Sequence, residues 1–189
     1  MKKLDHIYEQ PQFGENWFNY SNVYKHMVEK FPTDSVFVEV GSHLGKSAAY
    51  MCVEIANSQK NIKFFTVDHW RPWELRPDRY KVFMQNMKPL RKFFKPLKMY
   101  SVTAANKFED NSIDFLFLDG GHDYEDIIKD MSAWYPKVKP GGTVAGHDYY
   151  PDEPNRGGVY PGMHQLLDQG FISNIKLFSN DCFILQKNS

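Results

Sequence analysis

The densest set of titratable side chains lies in two short segments, Asp119-Gly120-Gly121-His122-Asp123 and Gly146-His147-Asp148. Each follows an apolar run that reads as a strand. A pair of carboxylates suits a hard, oxygen-preferring cation, whereas imidazoles beside it tilt a site toward a transition metal. An imidazole can also take a proton near neutral pH. Each residue has a plainer reading too. Asp119 can hydrogen-bond to a ligand or to backbone without a metal. His122 can cap the helix beginning near Tyr124, where Asp123 also reads as an N-cap. His147 can simply hold Asp148 in place.

A second set is the stretch Val38–Ser47, VEVGSHLGKS. It is one residue short of the phosphate-loop pattern G-x-x-x-x-G-K-[ST], and the loss changes which N–H groups point inward. The glycines do not fit the dinucleotide fingerprint either. These mismatches count against an NTPase or kinase and against a nicotinamide-dependent oxidoreductase. A cofactor such as S-adenosylmethionine fits better. It needs a close glycine turn for its methionyl part, supplied by Glu39, Gly41 and Gly45, and an acid for its ribose hydroxyls, supplied by Asp68. The plainer reading is a strand–helix turn and nothing more.

The elements that must hold these residues read as follows. Trp17, Tyr20, Tyr24, Met27, Val28 and Phe31 predict an amphipathic helix ending before Pro32. Val36–Val40, a helix beginning near Gly45, and Ile62–Val67 ending at Asp68 form a strand–helix–strand unit, parallel by default. A helix carrying Tyr80, Phe83, Met84 and Met87 follows, then a strand at Leu97–Tyr100 and another at Asp114–Leu118. A helix with Ile127, Ile128, Met131 and Trp134 inward stops at Pro136. Pro140-Gly141-Gly142 turns into a fifth strand, Thr143–Gly146. Ile175–Phe178 and Cys182–Leu185 form a closing hairpin around Ser179-Asn180-Asp181. The expected fold is α/β: a Rossmann-like, doubly wound, mostly parallel seven-stranded sheet with a C-terminal antiparallel hairpin. All of 1–189 reads as one domain, with 1–34 as an N-terminal helical extension. Residues 149–165 read as a lid, because their Pro and Gly residues disfavour regular structure.

The ordered set E-x-G-x-x-x-G, TVD, a Ser-bearing strand end, DFLFLDGGHDYE and KPGGTVAGHDY resembles the class I S-adenosylmethionine-dependent methyltransferases. Within them it is most similar to the methyltransferase-24 (macrocin O-methyltransferase-like) family, over roughly residues 35–186. Many relatives carry another glycine between Gly41 and Gly45, where this chain has Ser42 and His43. The resemblance assigns cofactor contact to Glu39, Gly41, Ser42, His43, Gly45, Ser47, Asp68, His69, Ser101 and Asp119. Ser101 can equally start the next helix as a cap. The resemblance also assigns a divalent metal such as Mg²⁺ to Asp119 and Asp148, with His147 as a further ligand, and a general base to His122. Lys46 is then an exposed helix residue. The implied function is O-methylation of a small sugar, phenolic or polyketide-like acceptor; the alternatives are a P-loop-like NTPase or kinase and a non-catalytic cofactor-binding protein.

Bulk properties agree with that assignment. The chain has 189 residues, with 23 basic and 23 acidic side chains, so no net field favours nucleic acid or an anionic membrane. Cys52 and Cys182 read as small core hydrophobes in a reducing compartment. With no apolar leader or membrane-length run, the expected location is cytoplasmic. Acceptor choice is expected from the N-terminal helix, the aromatic stretch His69–Tyr80 and Tyr149–His164, whose aromatics could instead be contacts in a homodimer.

Overall fold

The structure, a computed structural model, describes residues 3–14, 17–71, 78–179 and 181–188. Seven strands form one sheet: β1 (Val36–Val40), β2 (Lys63–Asp68), β3 (Lys95–Lys98), β4 (Ile113–Leu118), β5 (Val138–Gly146), β6 (Lys176–Ser179) and β7 (Cys182–Gln186). Their order is β3-β2-β1-β4-β5-β7-β6. The first five are parallel, and β7 joins β5 and β6 antiparallel. The doubly wound sheet and closing hairpin are thus as expected. The order reverses between β1 and β4, the place where open α/β sheets leave a crevice beyond their strand C-termini.

Strand side chains alternate between faces, so each apolar run feeds two cores. Phe37, Phe115 and Phe117 pack against α1 (Ser21–Lys30), α2 (Lys46–Ser58) and α3 (Arg79–Asn86). Val38, Leu116 and Leu118 pack against α4 (Ser101–Ala105), α5 (Tyr124–Trp134) and α6 (Val159–Asp168). Each fully buried phenylalanine contributes about 1.5–3 kcal/mol. Glu39 falls in the row of Phe37, so it enters the first core among aromatics. Both cysteines are free and buried, as their surroundings suggested.

Several elements differ from expectation. The N-terminal helix begins at Ser21 and not at Trp17, which is 63% exposed; Tyr20 takes the N-cap position. The extension before α1 is largely non-helical, although it sends Phe13 and Phe18 into the core. The third strand is Lys95–Lys98, and Tyr100 precedes α4 as its N-cap. The fifth strand starts at Val138, with Pro140-Gly141-Gly142 inside an irregularity of its pairing with β4. Residues 159–165 are helical and belong to α6, so only 149–158 of the expected lid lack regular structure. Pro161 is tolerated because it sits in the first turn of α6, where no intrahelical N–H bond is lost. Gly162 lets α6 approach α5, since a Cβ there would meet Ile127 at 2.3 Å. Part of the His69–Tyr80 stretch, including Pro72, Trp73 and Pro77, lies outside the described residues, as does Asn180 of the hairpin turn.

Candidate active site

The glycine turn is shaped by close backbone approach. Gly41 leaves β1 at φ +95°, and a Cβ there would lie 1.8 Å from the backbone carbonyl oxygen of Asp119. Gly45, the N-cap of α2, has φ +94° and faces the Met87 and Phe83 side chains. His43, between them, also has a positive φ of 43°. Asp68 at the end of β2 pins this arrangement. Its Oδ2 accepts the His43 N–H at 2.9 Å and its Oδ1 accepts the Trp70 N–H at 2.7 Å. The Trp70 indole N–H returns to the His43 carbonyl at 2.7 Å. Each carboxylate oxygen keeps a second lone pair, which leaves Asp68 able to receive hydroxyl donors.

Glu39, Ser42 and Ser47 lie beneath the turn. Glu39 is 1% exposed and accepts the Tyr24 hydroxyl and the Ser42 hydroxyl, each at 2.7 Å. Burial pushes its carboxyl up to about 7, although hydrogen bonds from Ser47, Tyr24 and Ser42 work against the rise. An unfolded Glu39 ionises near 4.5 and therefore loses its proton first as pH rises. Stability is then expected to fall between about pH 4.5 and pH 7, by about 3 kcal/mol from this group, and to level off above. Asp130, raised by burial to about 6, acts in the same sense. Urea midpoints of the Glu39→Gln protein at pH 5, 6, 7 and 8 should show a much shallower decline than the wild type. Lys46, expected to be exposed, is half-buried, with Nζ 3.5 Å from the Gly14 carbonyl.

The rim next to the turn carries the acids and imidazoles. Asp119 follows β4, and His147-Asp148 follow β5; the His147 N–H continues the sheet ladder to the Leu118 carbonyl at 3.1 Å. Asp148 takes a left-handed conformation, φ 58°, which aspartate tolerates better than most residues. Its Oδ2 meets His122 Nδ1 at 2.5 Å, and its Oδ1 accepts the Tyr150 hydroxyl at 2.7 Å. Burial would raise the Asp148 carboxyl, yet these two hydrogen bonds bring it down to about 2, so it is a carboxylate. The same contact raises the pKa of His122, with burial opposing. His147 is pushed down by burial but more strongly up by Asp119, Asp148 and Asp181, for a net rise.

Donor atoms of Asp119, His122 and Asp148 lie within 4.8 Å of one another. His122 joins the two carboxylates in this set, while His147 Nδ1 stands 3.5 Å from Asp119 and 3.6 Å from Asp148 and also groups with Asp181 and Cys182. Nor does His122 cap α5: Asp123 is the N-cap residue, and no side chain makes the capping bond. Ser101 is the first residue of α4 and not its cap. It donates to Asp130 at 2.5 Å and accepts the Trp134 indole N–H at 2.8 Å, within the protein. The exposed neighbour Tyr100 instead stands at the rim, its ring 5.3 Å from His69 and under the Arg71 guanidinium.

Sequence reasoning missed Tyr20, Asn19 and Tyr150, which bond to the rim acids. Tyr20 and Tyr24 stand four apart with apolar neighbours, so their rings read as core and their hydroxyls went unassigned. Trp17 was read as a core residue; its ring instead leans on His43, with centroids 5.6 Å apart.

Comparison with known proteins decides what this arrangement belongs to. A family model described as a methyltransferase domain, methyltransferase-24, matches residues 38–149. The chain belongs to the methyltransferase-24 family. The match runs from β1 through the glycine turn and both acidic rim segments to Tyr149, so it covers the turn and the Asp119, His122 and Asp148 set, with Asn19, Tyr20 and Tyr150 outside it. The chain is 31% identical over 115 residues to uncharacterized protein y4gI of Sinorhizobium fredii, spanning 59% of the chain but only 13% of y4gI. It is 23% identical over 162 residues to an uncharacterized protein of Acanthamoeba polyphaga mimivirus, spanning 78% of the chain and 66% of that protein. Among solved structures, the O-methyltransferase NovP superposes with a TM-score of 0.60 at 19% identity, covering 89% of this chain and 79% of NovP. The Rossmann-like methyltransferase fold is thereby shared. No helix among the described residues is long and apolar enough to cross a membrane.

Proposed function

We propose that the protein transfers a methyl group from S-adenosylmethionine to a hydroxyl of a small acceptor, with His122 as general base. The observation that carries this reading is the 2.5 Å contact between His122 and Asp148 on the rim shared with Asp119. S-adenosylmethionine supplies an electrophilic methyl on a sulfonium centre when bound. The turn at Gly41 and Gly45 fits the methionyl part because backbone approaches closely there, and Asp68 keeps lone pairs for the ribose. Asp148 holds the His122 Nδ1–H, which leaves Nε2 as the proton acceptor for the acceptor hydroxyl. The half-exposed Trp17–His43 pair, beside the turn, offers an apolar face to a planar phenolic or polyketide-like acceptor.

A second form of the same function places a divalent cation on Asp119, His122 and Asp148. The observation favouring it is their spacing, with donor atoms within 4.8 Å of one another. Two carboxylates suit Mg²⁺, and the imidazole makes Mn²⁺ or another transition ion an equally fitting occupant. Such an ion would orient the acceptor hydroxyl and make it more acidic. His122 would then be a ligand.

The test of cofactor binding is isothermal titration with S-adenosylhomocysteine. Asp68→Ala removes two backbone hydrogen bonds to a charged group as well as the ribose contact. Ribose hydroxyl bonds to the carboxylate are worth about 1.5–3 kcal/mol each, so losing them should lower affinity by about 10–100-fold or more. Unchanged affinity in a folded Asp68→Ala protein would remove the basis for placing the cofactor here.

A further inference from the structure

We propose that Tyr20 and Asn19 are positioning residues that fix the Asp119 and His147 side of the transfer site. The inference rests on the cation-binding form of the function above.

Residues 17–20 are not helical and cross the strand ends just before α1. The Tyr20 hydroxyl donates to Asp119 Oδ2 at 2.7 Å. Its ring is 2% exposed, stacked on Phe117 with centroids 4.5 Å apart and edged by Phe18 at 4.7 Å. Burial, and then the Asp119 charge, hold its hydroxyl well above the usual tyrosine pKa, so it stays a neutral donor. Asn19, one residue earlier, meets His147 Nε2 through Oδ1 at 3.1 Å and donates through Nδ2 to Asp181 at 3.1 Å. The other nitrogen of His147 faces Asp119 Oδ1 at 3.5 Å and Asp148 Oδ1 at 3.6 Å.

These contacts close a ring. It runs from Tyr20 to Asp119, on to His147, back to Asn19, and is completed by a single peptide bond. A carboxylate on a strand end rotates freely about its last torsion unless both oxygens are held. Here Oδ2 is set by Tyr20 and Oδ1 faces His147, whose Nε2 meets Asn19 and Asp181 at 3.1 Å each. Two adjacent residues of one short segment therefore bear on the plane of Asp119 from both of its oxygens. Tyr24 is the internal comparison. It is equally buried, four residues further on, and donates to a carboxylate at the same 2.7 Å, but that carboxylate is Glu39 beneath the turn.

The experiment is titration with Mn²⁺ alone, followed by calorimetry and by water-proton relaxation, on the full-length wild type and three variants. Tyr20→Phe deletes one oxygen and keeps the packed ring. Its Mn²⁺ affinity should drop by about 10-fold or more, the cost common for outer-shell partners of metal ligands. Tyr24→Phe, with a comparable loss of a buried hydrogen bond, should stay within about twofold of the wild type, against that same outer-shell scale. Asn19→Ala should also weaken Mn²⁺, and it carries the test if Tyr20→Phe does not fold. Equal affinities for Tyr20→Phe and wild type, or equal losses in Tyr20→Phe and Tyr24→Phe, would overturn the proposal. A wild type that binds S-adenosylhomocysteine but no Mn²⁺ would overturn it too, while leaving the cofactor assignment intact. Failure to bind S-adenosylhomocysteine alone would count against the proposed function and not against this inference.

Discussion

Replacing His122 by alanine should slow methyl transfer by about 10²–10⁴-fold with any hydroxyl acceptor the wild type turns over. S-adenosylhomocysteine release is the measurement. The His122 side chain is 57% exposed and packs in neither core, so the loss should come without a loss of fold. Its side chain pairs with Asp148, and Asp148→Asn should also cost activity, because an amide can no longer hold the Nδ1–H tautomer with a full charge. The two forms of the proposal separate here. If His122 is a base, added Mn²⁺ leaves the His122→Ala rate where it was. If it is a ligand, excess Mn²⁺ restores part of the rate by refilling a weakened site. A His122→Ala protein that turns over like the wild type would remove His122 from the chemistry.

The second large effect is on folding. Gly41→Ala would place a methyl 1.8 Å from the Asp119 carbonyl oxygen, on a residue at φ +95°. The obstructing atom is backbone, and it cannot retreat cheaply. The Asp119 N–H is bonded to the Val40 carbonyl at 2.8 Å, and the Gly41 N–H to the Val67 carbonyl at 2.8 Å. Relief would require parting β1 from β4 at the crevice. The expected loss is about 3–5 kcal/mol from overpacking and left-handed strain together. For a chain of this length that corresponds to a fall in Tm of roughly 10 °C. Gly45→Ala has the same sign of φ, but its Cβ meets the flexible Met87 side chain and the Phe83 ring at 2.9–3.1 Å. Thermal unfolding should therefore rank Gly41→Ala well below Gly45→Ala. The reverse order would mean that the turn is not held by the contact between β1 and β4.

The elements that came through the sequence clearly are those whose signal is local. β1, β2 and β4 are mostly apolar runs ending at Gly41, Asp68 and Asp119, and burial on both faces leaves only single polar residues such as Glu39, Thr66 and Asp114 to interrupt them. α5 shows its helical period and a proline just beyond it. β3 was misplaced by two residues because Lys95-Pro96-Leu97-Lys98 is an edge strand, paired only with β2. Lysine and proline are what such an edge tolerates, and neither resembles a strand when read in isolation. α6 was hidden by Pro161 and Gly162, which look like breakers. The first sits where no N–H is needed, and the second is demanded by α5 lying alongside.

At the site, residue types and spacing by themselves determined the glycine turn, the acid at the end of β2, and the two acidic rim segments. These depend on strand ends, and strand ends can be read from pattern. Tertiary structure decided the partnerships. It joined His122 to Asp148 across 26 positions of chain. It put His147 behind Asp119, turned Ser101 inward to Asp130, and brought Asn19 and Tyr20 from the N-terminal segment onto acids 162 and 99 positions away. Hydrogen bonds between such distant residues leave no periodic mark, because each needs only a polar atom at the right place and no repeat around it. The sequence therefore determined which acids and imidazoles stand at the rim, and the packing of distant segments against one another decided which of them act together.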